Sequence, residues 1–221
     1  VARDHEQQAV VSALLDRFGQ TFCAELGIDI ARNTPSPLFM LLCASLLYSA
    51  RIRADAATQA LKALFAQGWR TPRKMAESTW QARVKVLNAN GYARYDESTA
   101  RMLGDTAELL LSEYDGDLRK LRAAGNRKPS RERRLLKDFK GVGDVGVNIF
   151  FREAQVAWPE LYPFADKLAL NAAKRLGVAD TTDALAALVD QEDFPRLVAA
   201  LARVHLNKAY DDITAAGEAQ E

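Results

Sequence analysis

Cysteine and histidine are nearly missing from this 221-residue chain, with two of each. Cys23 and Cys43 lie too far apart for a paired-cysteine metal motif. Both sit in apolar helical surroundings, so they read as buried free thiols of a reducing compartment. His5 and His205 have no metal-ligand company, so no metal site and no cofactor is expected; His205, in Val204-His205-Leu206, reads as a satisfied helix residue. Long apolar runs are missing too. Nothing approaches the roughly 20 residues needed to cross a bilayer, and Val1 to His5 lacks the apolar core of a signal peptide, so a cytoplasmic chain without membrane contact is expected. No segment shows a convincing strand pattern. An overall excess of one charge is also lacking, the net being +1, so total charge points to no class of partner.

What is present is 48% hydrophobic content, enough for a full core in one domain or in two small lobes. Its period is helical: Leu61, Leu64 and Phe65, then Leu185, Leu188 and Val189, then Leu197, Val198, Leu201 and Val204. Thr71 before Pro72 reads as an N-cap with proline at the first helical position. Ser78 with Gln81 has the form of a capping box, while Asn90-Gly91, Asp115-Gly116 and Gly125-Asn126 punctuate later segments. Helices are expected over 4–18, 36–50, 54–67, 72–77, 79–89, 96–113, 117–124, 130–139, 144–155, 167–176, 182–190 and 194–214, with Arg127 to Ser130 as a polar connector. The fold class is all-α.

The most informative stretch is Leu135-Leu136-Lys137-Asp138-Phe139-Lys140-Gly141-Val142-Gly143-Asp144-Val145-Gly146-Val147-Asn148. A basic helical run stops at two glycines around one small apolar residue, and an apolar helix restarts at once. Glycine permits a tight turn with φ > 0 and a close approach by a partner, and the new helix opens with N–H groups that its own ladder leaves unpaired, which suits a phosphate. Gly141 to Gly146 also spells G-x-G-x-x-G. The dinucleotide fingerprint requires an apolar strand before its first glycine, however, and the residues from Arg131 to Lys140 are charged and helical in spacing. From Arg127 to Lys140 seven basic residues face two acidic ones, a net +5 that leaves −4 for the rest of the chain. A solvated helix face is the ordinary explanation of such a run; adjacency to the glycine hairpin turns it toward a polyanion.

Together with Asp166 in Pro163-Phe164-Ala165-Asp166-Lys167-Leu168-Ala169-Leu170, this hairpin resembles the HhH-GPD DNA glycosylases, the superfamily that includes endonuclease III. The resemblance runs from about Pro37 to Val178 and more weakly to the end. Pro37 to Ala50 looks like the family's first core helix with its closing Ser-Ala pair; Gly91-Tyr92 matches a glycine-led turn, and Leu168 to Gly177 matches the helix after the catalytic aspartate. It implies two helical lobes with a helix-hairpin-helix beside the cleft: a six-helix barrel lobe at 34–143, ending in the hairpin, and a second lobe of 1–33 and 144–221 carrying the aspartate. The endonuclease III branch usually holds an iron–sulfur cluster on four C-terminal cysteines; this sequence has none after Cys43, so no cluster is expected.

The resemblance further implies a DNA N-glycosylase of base-excision repair, a monomer acting on double-stranded DNA with a damaged or mispaired base, and nucleoid-associated while doing so. Lys137, Lys140, Gly141, Val142, Gly143, Val145, Gly146 and Arg51 would meet DNA, and Asp166 would be catalytic. A carboxylate beside the sugar stabilises the positive charge that builds as the base departs and helps deprotonate water; taken alone, Asp166 would make a good N-cap, and the two roles can coexist. Bifunctional members carry a nucleophilic lysine where Val145 stands, so a monofunctional enzyme is expected; Lys167 reads as an exposed helix-start lysine, or as a relocated amine. Arg51 stands where endonuclease III fills the gap left by the flipped base; it could do the same, contact phosphate, or be a surface residue. Tyr48, Tyr92 and Tyr95, with Trp158 and Phe164, could stack on a flipped base, although an aromatic in a helical protein is more often core. Lys140 replaces a common proline, and Asp144 either introduces an acid where the helix should attract phosphate or serves to cap that helix. Two alternatives remain open: a DNA-binding relative without catalysis, and a helical interaction module without DNA contact.

Overall fold

A computed structural model of the chain describes residues 2–218. In chain order the helices are α1 (Ala2–Phe18), α2 (Phe22–Glu25), α3 (Pro35–Tyr48), α4 (Ala54–Ala66), α5 (Pro72–Glu77), α6 (Trp80–Ala89), α7 (Asp96–Tyr114), α8 (Leu118–Ala124), α9 (Pro129–Leu136), α10 (Asp144–Ala154), α11 (Lys167–Arg175), α12 (Thr182–Ala186), α13 (Phe194–Asn207) and α14 (Tyr210–Glu218). Short 3₁₀ turns lie at Ile30–Arg32, Ala93–Tyr95 and Pro159–Leu161, and no strand occurs among the described residues. The fold is all-α. No described helix is long and apolar enough to cross a membrane.

The chain divides into two compact units, a central one of 26–160 and a terminal one of 1–25 with 161–221. The resemblance implies a first lobe of 34–143. Instead α10 belongs to the central unit, because it packs on α3. By residue count the central unit carries 22 Lys and Arg against 15 Asp and Glu, and the terminal unit 8 against 14. The near-zero net charge therefore conceals units of +7 and −6.

α3 is the strut of the central unit. Pro35 starts it, and from Leu38 to Leu47 every residue is buried. A helix apolar all round has to be enclosed, and α4, α7, α8 and α10 all pack on it. Arg83 pins the layer beneath. Although buried, it donates through Nε to the Ala100 carbonyl (2.8 Å) and through a terminal nitrogen to the carbonyls of Ser78 (2.7 Å) and Met75 (3.2 Å). A guanidinium buried this way answers the desolvation cost with hydrogen bonds. In the terminal unit α1 packs on α13 and α14, burying Val10, Val11 and Leu14 against Leu197, Leu201, Val204 and Ile213. Arg203 holds α2 there, pairing with Glu25 at 2.6 Å while lying 4.1 Å from the Phe22 ring centre.

Several local expectations stand and others need correcting. Thr71 caps α5 through the Lys74 amide, and His205 is satisfied by the Tyr210 hydroxyl at 2.9 Å. Cys23 and Cys43 are buried, and burial pushes the Cys43 thiol well above the usual range. The cap of α6 is Thr79, not Ser78, whose hydroxyl instead turns back to the Met75 carbonyl. The helix expected over 194–214 is broken at Lys208, which is left-handed (φ +56°) and closes α13 onto the Val204 and His205 carbonyls. The helix expected over 130–139 ends at Leu136, the one over 182–190 ends at Ala186, and α2 was not foreseen.

One buried acid adjoins the hairpin. Glu132 of α9 is fully buried against Gly125, at the end of α8; a Cβ on Gly125 would lie 3.0 Å from its Cγ. Burial pushes its carboxyl up to about 8, the neighbouring Glu160 adding to the rise and Arg122 opposing it. Its oxygens have no well-formed hydrogen bond, so desolvation chiefly keeps the group neutral. Arg122 is committed to Glu160 through a two-pronged pair, 2.6 Å at the closer terminal nitrogen, and Glu160 stays below the usual range despite its own burial. A raised folded pKa contributes stability that is complete below the unfolded value of 4.5 and is lost as pH rises through about 8. The thermal stability of wild type should therefore fall between pH 5 and pH 9 more steeply than that of Glu132→Gln, which stays neutral. Parallel profiles would show that Glu132 does not titrate in this way.

Candidate nucleic-acid interface

The expected hairpin is present. α9 gives way after Leu136 to a tight turn over 137–143, and α10 begins at Asp144. Leu136, Phe139 and Val142, spaced by three, are all buried, and the Val142 amide donates to the Phe139 carbonyl at 3.0 Å. These three anchors push the intervening polar residues outward. Lys137, Asp138, Lys140, Gly141, Gly143, Asp144 and Val145 are exposed, and Val145 is 59% accessible, the most exposed of the large apolar side chains described.

The three glycines have different reasons to be glycine. Gly141 has φ +90°, and a Cβ there would fall 2.4 Å from the Met102 sulfur and 3.0 Å from Leu46 Cδ2. At Gly146 a Cβ would stand 3.3 Å from Val142 Cγ1 and 3.6 Å from the Ser45 carbonyl, so this residue lets α10 approach α3. Gly143 is constrained by neither. Its φ of −96° and ψ of −166° are open to any residue, and a Cβ would meet nothing within 4 Å. Gly143 is also the N-cap of α10, and no side-chain cap bond takes up the first-turn N–H groups.

Electrostatics at this end are set by basic residues and one acid. Asp144, the first residue of α10, accepts from the Lys137 ammonium at 3.1 Å and lies 3.6 Å from an Arg133 nitrogen. The Lys137 hydrogen bond, reinforced by the charges of Lys137 and Arg133, holds the Asp144 carboxyl below its ordinary range. Arg133 also donates to Asn148 Oδ1 (2.8 Å) and lies over the Phe151 ring at 5.1 Å. Lys140 lies 3.9 Å from Asp105. None of these pairings was legible beforehand, because the turn, not sequence spacing, brings residue 137 to residue 144.

The remaining candidates divide. Arg51 is exposed just beyond α3. Val142 and Gly146, expected to touch DNA, are buried packing residues, which leaves them no side-chain role at the surface. Tyr92, a candidate for stacking on a base, is fully buried with its hydroxyl donating to the Leu47 carbonyl at 3.0 Å, and Trp158 is fully buried with its indole donating to Asn33 at 3.0 Å. Neither ring offers a face. Tyr48 is half-buried with its hydroxyl 2.6 Å from that of Thr58, and Tyr95 is half-buried beneath Arg94 at 5.3 Å. Phe164 is half-buried. In the terminal unit Asp166 is nearly buried and caps α11, its Oδ1 accepting from the Ala169 amide at 3.1 Å; Lys167 is the exposed first residue of that helix.

No family model and no curated protein sequence matches the chain. Solved structures that resemble it include a trapped endonuclease III–DNA covalent intermediate with an estranged adenine and a non-covalent endonuclease III–DNA complex. Each is 20% identical, over 74% of this chain and 71% of the other, with a TM-score of 0.49. A likeness of that degree carries nothing about ligand or reaction to this chain. Two cysteines in the sequence also cannot supply the four thiolates of an iron–sulfur cluster.

The glycine geometry is testable by stability alone. Gly141→Ala should cost about 2 kcal/mol, from the positive φ and the overlap with Met102 and Leu46. Gly143→Ala should stay within about 0.5 kcal/mol of wild type in urea unfolding. Equal losses would mean that both glycines serve the fold.

Proposed function

We propose that this chain binds duplex DNA through α9, the hairpin and the start of α10, and hydrolyses the N-glycosidic bond of an extruded damaged or mispaired base. The observation that carries the binding half is Gly143: neither its backbone angles nor any close neighbour in the chain requires a glycine there, so the missing side chain suits a partner that must come close. The uncapped N–H groups beside it and the basic face of α9 suit a phosphate of the backbone. The +7 of the central unit supplies the long-range attraction, which the terminal unit at −6 cannot.

The catalytic half rests on Asp166 and on the resemblance of its surroundings to those of the HhH-GPD enzymes. In this reading the base is rotated out of the stack and the C1′–N bond breaks as positive charge gathers on the sugar. The Asp166 carboxylate stabilises that charge and draws a proton from the attacking water. Water oxygen bonds to C1′, the base departs with a proton, and an abasic site remains. Val145 has no nucleophilic atom, so strand cleavage through a Schiff base is not part of the scheme. The cap that Asp166 provides to α11 favours a second reading, a DNA-binding relative in which the acid is structural only.

Base release from a panel of duplexes, each carrying one altered base and read as alkali-revealed abasic sites, separates these. Wild type should release one class of base, and Asp166→Asn should lower the rate by about 100-fold or more while keeping duplex affinity. Binding without release from any duplex would favour the structural reading, and breaks formed without alkali would show a lyase. In the same duplexes, Gly143→Val should weaken binding severalfold while costing no more than about 1 kcal/mol of stability as a poorer N-cap, since the added side chain meets the backbone of the bound strand. Unchanged binding would remove the hairpin from the interface.

A further inference from the structure

The acid at the hairpin is out of place for a phosphate site, and its contacts give it a task. Lys137 and Arg133, two of the basic residues nearest the exposed start of α10, both face Asp144, at 3.1 and 3.6 Å. Asp144 is itself the first residue of the helix whose positive end would receive phosphate. One carboxylate thus occupies the charge position of a phosphate with respect to both the side chains and the helix end. Its side chain is 67% exposed, so it is not there for burial. The helix does not need it as a cap, since Gly143 holds the N-cap position and no side-chain cap bond forms.

We infer that Asp144 is an internal counter-anion that competes with DNA phosphate for Lys137 and the start of α10, keeping the duplex affinity of the hairpin below what its basic helix would otherwise give. The inference rests on the reading of the hairpin as a duplex-binding element. When a phosphate approaches, Lys137 exchanges one anion for another, so the gain on binding is the difference between two similar pairs and dissociation is fast. Arg133 exchanges less completely, because Asn148 and the Phe151 ring also hold it. An acid at this position favours release from undamaged duplex, where no extruded base adds to the affinity.

The test is duplex binding by the full chain across a salt series, with Asp144→Asn, Asp144→Glu and Lys137→Met compared to wild type. Asp144→Asn should bind about fivefold to tenfold more tightly near 50 mM salt and lose that advantage at high salt. Its plot of log affinity against log salt should steepen by about 0.9 for each basic residue released. Asp144→Glu keeps the charge and should behave as wild type, and the gain from Asp144→Asn should shrink in the Lys137→Met background. Equal or weaker binding by Asp144→Asn, while Gly143→Val still weakens it, would overturn the inference and leave the hairpin reading intact. Absence of salt-dependent duplex binding by every variant would overturn both.

Discussion

The enclosure of α3 is the constraint on which the rest of the central unit depends. A helix with no polar face must be covered on all sides, and the covering elements bring the hairpin with them. Three consecutive residues show how. The Ser45 carbonyl meets the face of α10 where Gly146 stands, Leu46 packs on Gly141, and the Leu47 carbonyl receives the Tyr92 hydroxyl. Burying side chains of this size is worth roughly 1.5–3 kcal/mol each, which far exceeds any single surface contact of the hairpin. The turn between α9 and α10 is therefore held from behind by apolar packing, and its outer surface is left to serve something else.

That outer surface is economical in fold-supporting features. Leu136, Phe139 and Val142 point inward, while the exposed residues between and beyond them are cationic, small, or in one case acidic. Exposed ion pairs contribute little to stability, about 0–1 kcal/mol, so the pairing of Asp144 with Lys137 and Arg133 matters more for the charge this surface presents than for folding. The same contrast holds for the glycines: Gly141 and Gly146 are explained by neighbours within the chain, and Gly143 is not.

Glu132 supplies the opposite case, an acid inside the protein. It sits on the helix that leads into the hairpin, packed on the end of α8 and near the Arg122–Glu160 pair. Arg122 cannot serve both carboxyls equally, and its fork is given to Glu160. The neutral Glu132 is the consequence: burial without a dedicated cation favours the protonated acid.

The all-α class, most helix positions, the hairpin and the cap at Thr71 were all legible in the sequence, because each is set by local pattern: apolar period, cap chemistry and the glycine pair. The role of Asp166 as an N-cap could be read for the same reason. Where local signals compete, the tertiary structure decided. Thr79 displaced Ser78 as a cap because Ser78 closes the preceding helix and receives Arg83. The central unit reaches past residue 143 because α10 buries its apolar face chiefly against α3. Tyr92 and Trp158 became core because burial depends on what surrounds a ring, which no spacing specifies. The pairing of Asp144 with Lys137, and the freedom of Gly143 beside the constraint on Gly141, likewise belong to the turn in three dimensions, where residues seven apart meet and neighbours two apart do not share an environment.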